Sequence, residues 1–160
     1  MLQCKAQSVS LPYQSQPIHP KLSGSMDLSR LLRCIAEVET GNDDTRIGKH
    51  GERSRYQIKR SVWNQYQNGT YAFFAAFCWG ATADFVALRH VQWLDKTLPR
   101  GSEIERNFRH YAIAWCWNGG LDSWNGPRYS SNARINNYAV RVTNLYDDPT
   151  FPILPTSRLS

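Results

Sequence analysis

The sequence predicts a mainly α-helical single domain with little or no sheet. Three observations carry that prediction. Apolar residues recur at three- and four-residue spacing through most of the ordered-looking chain. Stop signals built from Gly, Asn and Pro separate the periodic stretches. Just one short piece, 53–58, reads as extended. At 160 residues and 41 % hydrophobic content the chain is long enough for one modest core and too apolar for a disordered one.

Residues 1–25 are polar, carry Pro12, Pro17 and Pro20, and read as a flexible leader. The opening MLQCKAQSVSLPYQSQP has no apolar h-region, so no secretory signal is read there. The first helix is expected from about Met26 to Thr40, capped by Ser25 or Asp27. Leu28, Leu31, Leu32, Ile35 and Ala36 form its apolar stripe. Eleven residues at ~100° each return to within roughly 20° of the starting direction. Glu39 therefore lies on the stripe begun by Leu28, while Glu37 faces solvent. Gly41 stands where a left-handed stop belongs. Partial burial and the negative end of the helix dipole both disfavour a charged Glu39, so its pKa should be raised. A carboxylic acid still protonated near neutral pH is a proton donor. The same residue on a fraying last turn would sit in water.

A polar loop over 41–52 holds Asp43 and Asp44, either turn formers or a device for orienting water, and the glycines Gly48 and Gly51. After it, 53–58 reads as a short extended piece. A short helix over 61–66, capped by Ser61, should bury Trp63 and Tyr66 and end at Asn68-Gly69. The aromatic run 71–79 fits a helical turn or a core-lining loop. Thr82 to Leu98 is a longer helix with Val86, Ala87, His90, Val91, Leu94 and Leu98 on one face; His90 is expected as a satisfied core histidine. Ser102-Glu103-Ile104-Glu105 is a capping box. It opens a helix with Ile104, Phe108, Tyr111, Ala112 and Trp115 inward, stopped at Trp117-Asn118-Gly119-Gly120. A loop over 121–128 offers Trp124 as a sugar platform. The last helix, Asn132 to Leu145, turns Ile135, Tyr138, Ala139, Val142 and Leu145 inward, and Asp147-Asp148-Pro149 ends it. Residues 149–160 form a tail, which leaves 26–148 as the domain.

Glu39-Thr40-Gly41 followed by Gly51-Glu52-Arg53-Ser54-Arg55-Tyr56-Gln57-Ile58, and later Cys116-Trp117-Asn118-Gly119-Gly120, resembles the lysozyme-like lytic transglycosylase superfamily. There a Glu-Ser or Glu-Thr ends a helix, a Gly-Ala-x-Gly-Leu-Met-Gln-Ile type segment follows, and an Ala-Tyr-Asn-x-Gly motif closes a later helix. The resemblance spans about Leu28 to Leu145. It implies a lysozyme-like fold with a catalytic groove and cleavage of the β-1,4 bond between N-acetylmuramic acid and N-acetylglucosamine. It makes Glu39 the catalytic acid and Gly51, Tyr56, Gln57, Asn118 and Gly120 substrate-binding positions. Asn137-Tyr138-Ala139-Val140-Arg141-Val142 resembles the family's terminal helix, which carries Tyr138 over as a residue hydrogen-bonding near the acid. Two positions depart from the motif: Ser54 replaces a glycine and Arg55 a leucine, where the family lines its glycan groove.

A hydrolase would need a second carboxylate; Asp43, Asp44 and Glu52 are the candidates. A transglycosylase needs none, because the same Glu then deprotonates the muramoyl 6-hydroxyl and an anhydro ring closes. The lack of a motif around a second carboxylate tilts the reading toward the transglycosylase. Arg53 and Arg55 either meet muramate groups or are solvated. The net charge of +6 and a pI near 9.3 suit an anionic partner. Peptidoglycan glycan strands are the expected partner. The alternative is a non-catalytic basic protein for glycan or single-stranded nucleic acid, using Arg128, Arg134 and Arg141. No ligand spacing among Cys4, Cys34, Cys78 and Cys116 or the four histidines suggests a metal, and no cofactor is expected. Cys34 and Cys116 read as buried thiols, with a disulfide among Cys34, Cys78 and Cys116 left open. No apolar run reaches membrane-spanning length, and a monomer is expected. The implied substrate lies in the periplasm, the cell envelope or outside the cell.

Overall fold

In the computed structural model, residues 26–67, 80–101, 106–124 and 132–152 are described. They hold five α-helices: α1 (Leu28–Thr40), α2 (Arg60–Gln67), α3 (Gly80–Thr97), α4 (Arg109–Gly119) and α5 (Ala133–Asp147). A 3-10 turn, Leu121–Ser123, follows α4. The mainly α class is thus borne out. The sole sheet-like pairing among the described residues is an antiparallel bridge between Arg53 and Ile58. The leader over 1–25, the stop at 68–69, the aromatic run 71–79, the capping box 102–105, the loop over 125–131 and the tail from 153 lie outside the described residues.

Helix α1 begins at Leu28, two residues later than expected. Asp27 is its cap and accepts a hydrogen bond from the Arg30 backbone N–H at 3.0 Å. Its stripe of Leu31, Leu32, Ile35 and Ala36 is buried; each large aliphatic side chain contributes roughly 1.5–3 kcal/mol on leaving water. Gly41 ends the helix at φ +68°, and its N–H reaches back to the Glu37 carbonyl at 2.9 Å. The start of α1 is clamped to the end of α5: Arg30 donates to the Tyr146 and Asp148 carbonyls, and the Tyr146 hydroxyl accepts from Asp27 N. Helices α4 and α5 pack most extensively on each other, α1 lies against α5 and α3, and α3 also contacts α2 and α4.

Several boundaries moved. Helix α2 starts at Arg60, so Ser61 is a first-turn residue and not the cap. Helix α3 starts at Gly80 and stops at Thr97, with Leu98 buried just beyond it. The largest correction is at 106–109. Phe108, expected inward, has non-helical backbone (φ −122°, ψ 45°) and is 49 % exposed. Arg109 is buried in its place. Its Nε lies 2.7 Å from Asp95 Oδ1, and its guanidinium donates to the Asp95, Leu98 and Pro99 carbonyls. One cation thus satisfies the open carbonyls at the end of α3. Trp124 is also corrected. It is buried against Trp115 and Tyr111 rather than exposed as a platform.

The expected faces otherwise hold. Trp63 is buried and Tyr66 packs on the core. Ile135, Tyr138, Ala139 and Val142 of α5 point inward, and Asn132 caps that helix by accepting from Ile135 N. Cys34 and Cys116 are buried free thiols, pushed up to about 11 and about 12 by burial. Cys78 lies outside the described residues.

Candidate active site

Glu39 is the last residue but one of α1 and is half-buried. Three other parts of the chain converge on its carboxyl: Tyr138 and Arg141 from α5, Trp117 from α4, and Glu52 from the loop after α1. Burial is the largest influence and raises its pKa. The Tyr138 hydroxyl and the Trp117 indole N–H oppose that by donating toward the carboxylate; the Glu52 charge raises it further and Arg141 lowers it. The net direction is up, which favours a protonated acid at higher pH than usual.

Tyr138 is buried, and burial and the neighbouring Glu39 charge push its phenol far above the ordinary range. Its hydroxyl has no well-aligned hydrogen bond among the described residues. Its approach to Glu39 is therefore a close polar contact rather than a fixed bond. Asn118 Oδ1, on the last turn of α4, is likewise buried without a hydrogen-bond partner there. Of these two polar atoms on the helices that face the acid, Asn118 Oδ1 is unengaged and the Tyr138 hydroxyl turns to Glu39.

The loop carrying the second motif is pinned to the same end of α1. Thr40 Oγ1 donates to the Arg55 carbonyl at 3.1 Å and accepts from Asp43 N at 2.9 Å. Arg53 and Ile58 close the loop through two backbone hydrogen bonds of 3.0 and 2.8 Å. Inside it, Ser54 and Gln57 adopt positive φ, +66° and +50°. Ser54 is completely buried, and its Oγ accepts from Tyr56 N at 3.3 Å. Ser54 thus holds the left-handed conformation that a glycine at this motif position takes without strain.

The carried-over residues divide. Gln57 is committed to the loop, since Nε2 donates to the Ser54 and Arg46 carbonyls at 3.1 and 3.3 Å. A side chain at Gly48 would collide with both the Gln57 amide and the Glu52 carboxyl, so those two groups flank one backbone position. The Tyr56 hydroxyl donates to Asp84 Oδ1 at 2.7 Å, and its ring meets Trp117 edge-on at 6.4 Å; Tyr56 braces the site from behind. Gly51 and Gly120 are exposed at φ +82° and +81°.

The three candidate second carboxylates also separate. Asp43 accepts from Thr45 N and Oγ1 at 2.8 and 2.6 Å, which holds its carboxyl below the usual range. Asp44 forms a two-pronged ion pair with Arg55 at 2.9 and 3.0 Å, and Asp84 stands 3.8 Å from the same guanidinium. Arg55 is therefore neither solvated nor turned to a ligand. Glu52 alone of the three acts on Glu39. Burial works against the Glu52 carboxylate, but the backbone N–H groups of Glu52 and His50 and the charges of His50 and Lys59 outweigh it and hold its pKa low.

Trp117, Asp84 and Arg141 were not singled out as site residues in the sequence. Trp117 had one signal, its place beside Asn118; Arg141 had its place three residues after Tyr138 in the terminal-helix segment; Asp84 had none. His90 is half-buried, edge-on to Trp117 at 5.4 Å and stacked on Trp93 at 5.6 Å, with Nδ1 3.2 Å from the Tyr66 hydroxyl. Burial lowers it to about 4, so it is a neutral packing residue at ordinary pH. Among the described residues no group of three or more His, Cys, Asp and Glu side chains is placed to hold a metal, and no helix is long and apolar enough to cross a membrane.

Comparison with family models, curated proteins and solved structures returned no match.

Proposed function

We propose that the chain is a lysozyme-like glycosidase that cleaves the β-1,4 bond between N-acetylmuramic acid and N-acetylglucosamine in peptidoglycan, with Glu39 as its general acid. The observation that supports this most is the setting of Glu39: a half-buried carboxyl of raised pKa, facing Tyr138 and Trp117, at the end of α1. The protonated acid donates to the leaving glycosidic oxygen as the bond breaks. The resulting carboxylate is then stabilised by the Tyr138 hydroxyl and the Trp117 N–H, groups that strengthen as negative charge appears. In the transglycosylase outcome this carboxylate takes the proton of the muramoyl 6-hydroxyl, whose oxygen closes onto the anomeric carbon.

One observation favours hydrolysis as a second reading. Glu52 is held ionised beside an acid whose pKa is raised, the split that lets one carboxyl donate a proton while its neighbour activates water. The unengaged Asn118 Oδ1 suits an acetamido N–H of the glycan in either case.

Zymography on purified peptidoglycan tests the assignment. Wild-type protein clears the wall and Glu39→Gln does not, with its helical circular dichroism retained. Clearing by the variant at the wild-type rate refutes the role of Glu39. Mass spectrometry of the products decides the outcome: an anhydro end, lighter by one water, marks transglycosylation, and free reducing ends alone mark hydrolysis.

A further inference from the structure

An open depression of about 380 Å³ is lined by His50, Gly51, Arg53, Lys59, Arg60, Ser61 and Glu52, whose charge acts on Glu39. Its charged lining is three permanent cations and one histidine against a single carboxylate. That carboxylate is already engaged, because Glu52 Oε2 accepts from His50 N at 2.9 Å and packs against Gly48. Lys59, Arg60, His50 and Gly51 are exposed. The floor is rigid for a loop: Gly51 N donates to the Gly48 carbonyl, Gly48 N to the Glu52 carbonyl, and the Arg53–Ile58 bridge closes the far side. The Thr40–Arg55 hydrogen bond ties this loop to the residue following Glu39.

We propose that this depression is a subsite for the carboxylates of the peptide stem carried by the glycan, so that it selects strands that still bear their stems. The inference rests on the glycosidase reading for its substrate. The chemistry follows from the lining. A stem peptide presents several carboxylates on a flexible chain attached to the muramoyl sugar, one of the two sugars at the scissile bond. Cations on 50–60 meet such a chain while the bond lies at Glu39, and Glu52 links the two places because it lines the depression and its charge acts on Glu39. A neutral acetamido or hydroxyl surface would gain little from three cations, whereas each partly exposed carboxylate contact adds a modest, salt-sensitive contribution.

The test compares the Lys59→Ser/Arg60→Ser double variant with wild type on two substrates: glycan strands with intact stems, and the same strands stripped of peptide by an amidase. Wild-type protein is expected to show the higher kcat/KM on stem-bearing strands. The double variant loses about fivefold to tenfold of that preference, through KM, as expected for two lost charge contacts. Raising the salt should shrink the wild-type preference. Equal kcat/KM of wild type on both substrates, or an unchanged preference in the double variant, overturns the proposal while leaving the glycosidase reading intact.

A binding arm stands apart from cleavage. The free tetrapeptide stem is titrated into the full chain and followed by amide chemical shifts, with inorganic phosphate as a second titrant. Shifts at His50, Lys59 and Arg60 with the tetrapeptide, abolished when its carboxylates are amidated, support the subsite. Shifts with phosphate alone, or with neither, overturn it. If wild type cleaves neither strand, the glycosidase reading fails, and the tetrapeptide titration still decides whether the depression binds carboxylates.

Discussion

Acid should weaken this protein through His90 in a way that can be calculated in advance. The imidazole is held neutral by burial and titrates near 4 in the folded chain, against about 6.5 in an unfolded one. A base with a depressed folded pKa contributes stability that is fully present above the unfolded value. It is lost as the pH falls, because the unfolded chain takes up the proton first. At ~1.4 kcal/mol per pH unit the loss is about 2 kcal/mol by pH 5 and about 3 kcal/mol below pH 4. The perturbation is His90→Gln, which keeps a polar partner for Tyr66 and cannot titrate. Urea unfolding at pH 7 and pH 5 is measured for both proteins. Wild type should lose about 2 kcal/mol more than the variant over that interval, since His110 and the carboxylates titrate alike in both backgrounds. Equal losses would mean that His90 is solvated, and that the packing of Tyr66, Trp93 and Trp117 around it is wrong.

The remaining predictions concern the acid, the turn after α4 and the thiols. With Glu39 as the general acid proposed above, activity is expected to fall as the pH rises through its pKa. Glu52→Gln removes a charge that raises that pKa and should move the alkaline limb to lower pH; Tyr138→Phe removes a donor to the carboxylate and should move it to higher pH. Limbs that shift the other way, or not at all, in the pH–rate profiles would contradict the arrangement around Glu39. Gly119→Ala should cost about 1–3 kcal/mol in thermal or urea unfolding, because a Cβ there meets Ser123 Oγ and Ile135 Cδ1; a melting temperature at the wild-type value would show that the contact relaxes freely. Cys34 and Cys116, buried with thiol pKa values of about 11 and about 12, should resist alkylation at pH 8 in the folded protein and react in urea, as mapped by peptide mass spectrometry.

Much of the helix pattern was legible because it is local. The stripe from Leu31 to Ala36, the Asp27 cap, the Gly41 stop and the inward faces of α3 and α5 each follow from residues within a few turns of one another. The failures are equally specific. Phe108 and Arg109 exchanged places because the carbonyls at the end of α3 draw in a cation from the start of α4. Trp124 reads as a sugar platform from the sequence because nothing in 121–128 shows that Trp115 and Tyr111 cover it. Arg55 reads as a solvated or ligand-facing charge until Asp44 and Asp84 are set beside it.

The sequence by itself determined that the chain is helical and that a carboxylate stands on the apolar side of the first helix, since helical periodicity needs only neighbouring residues. It did not determine what that carboxylate feels. Its surroundings come from Glu52, Trp117, Tyr138 and Arg141, which lie 13 to 102 residues away along the chain. Desolvation and Coulomb forces act through space, and only the packing of α1 against α4, α5 and the intervening loop sets those separations.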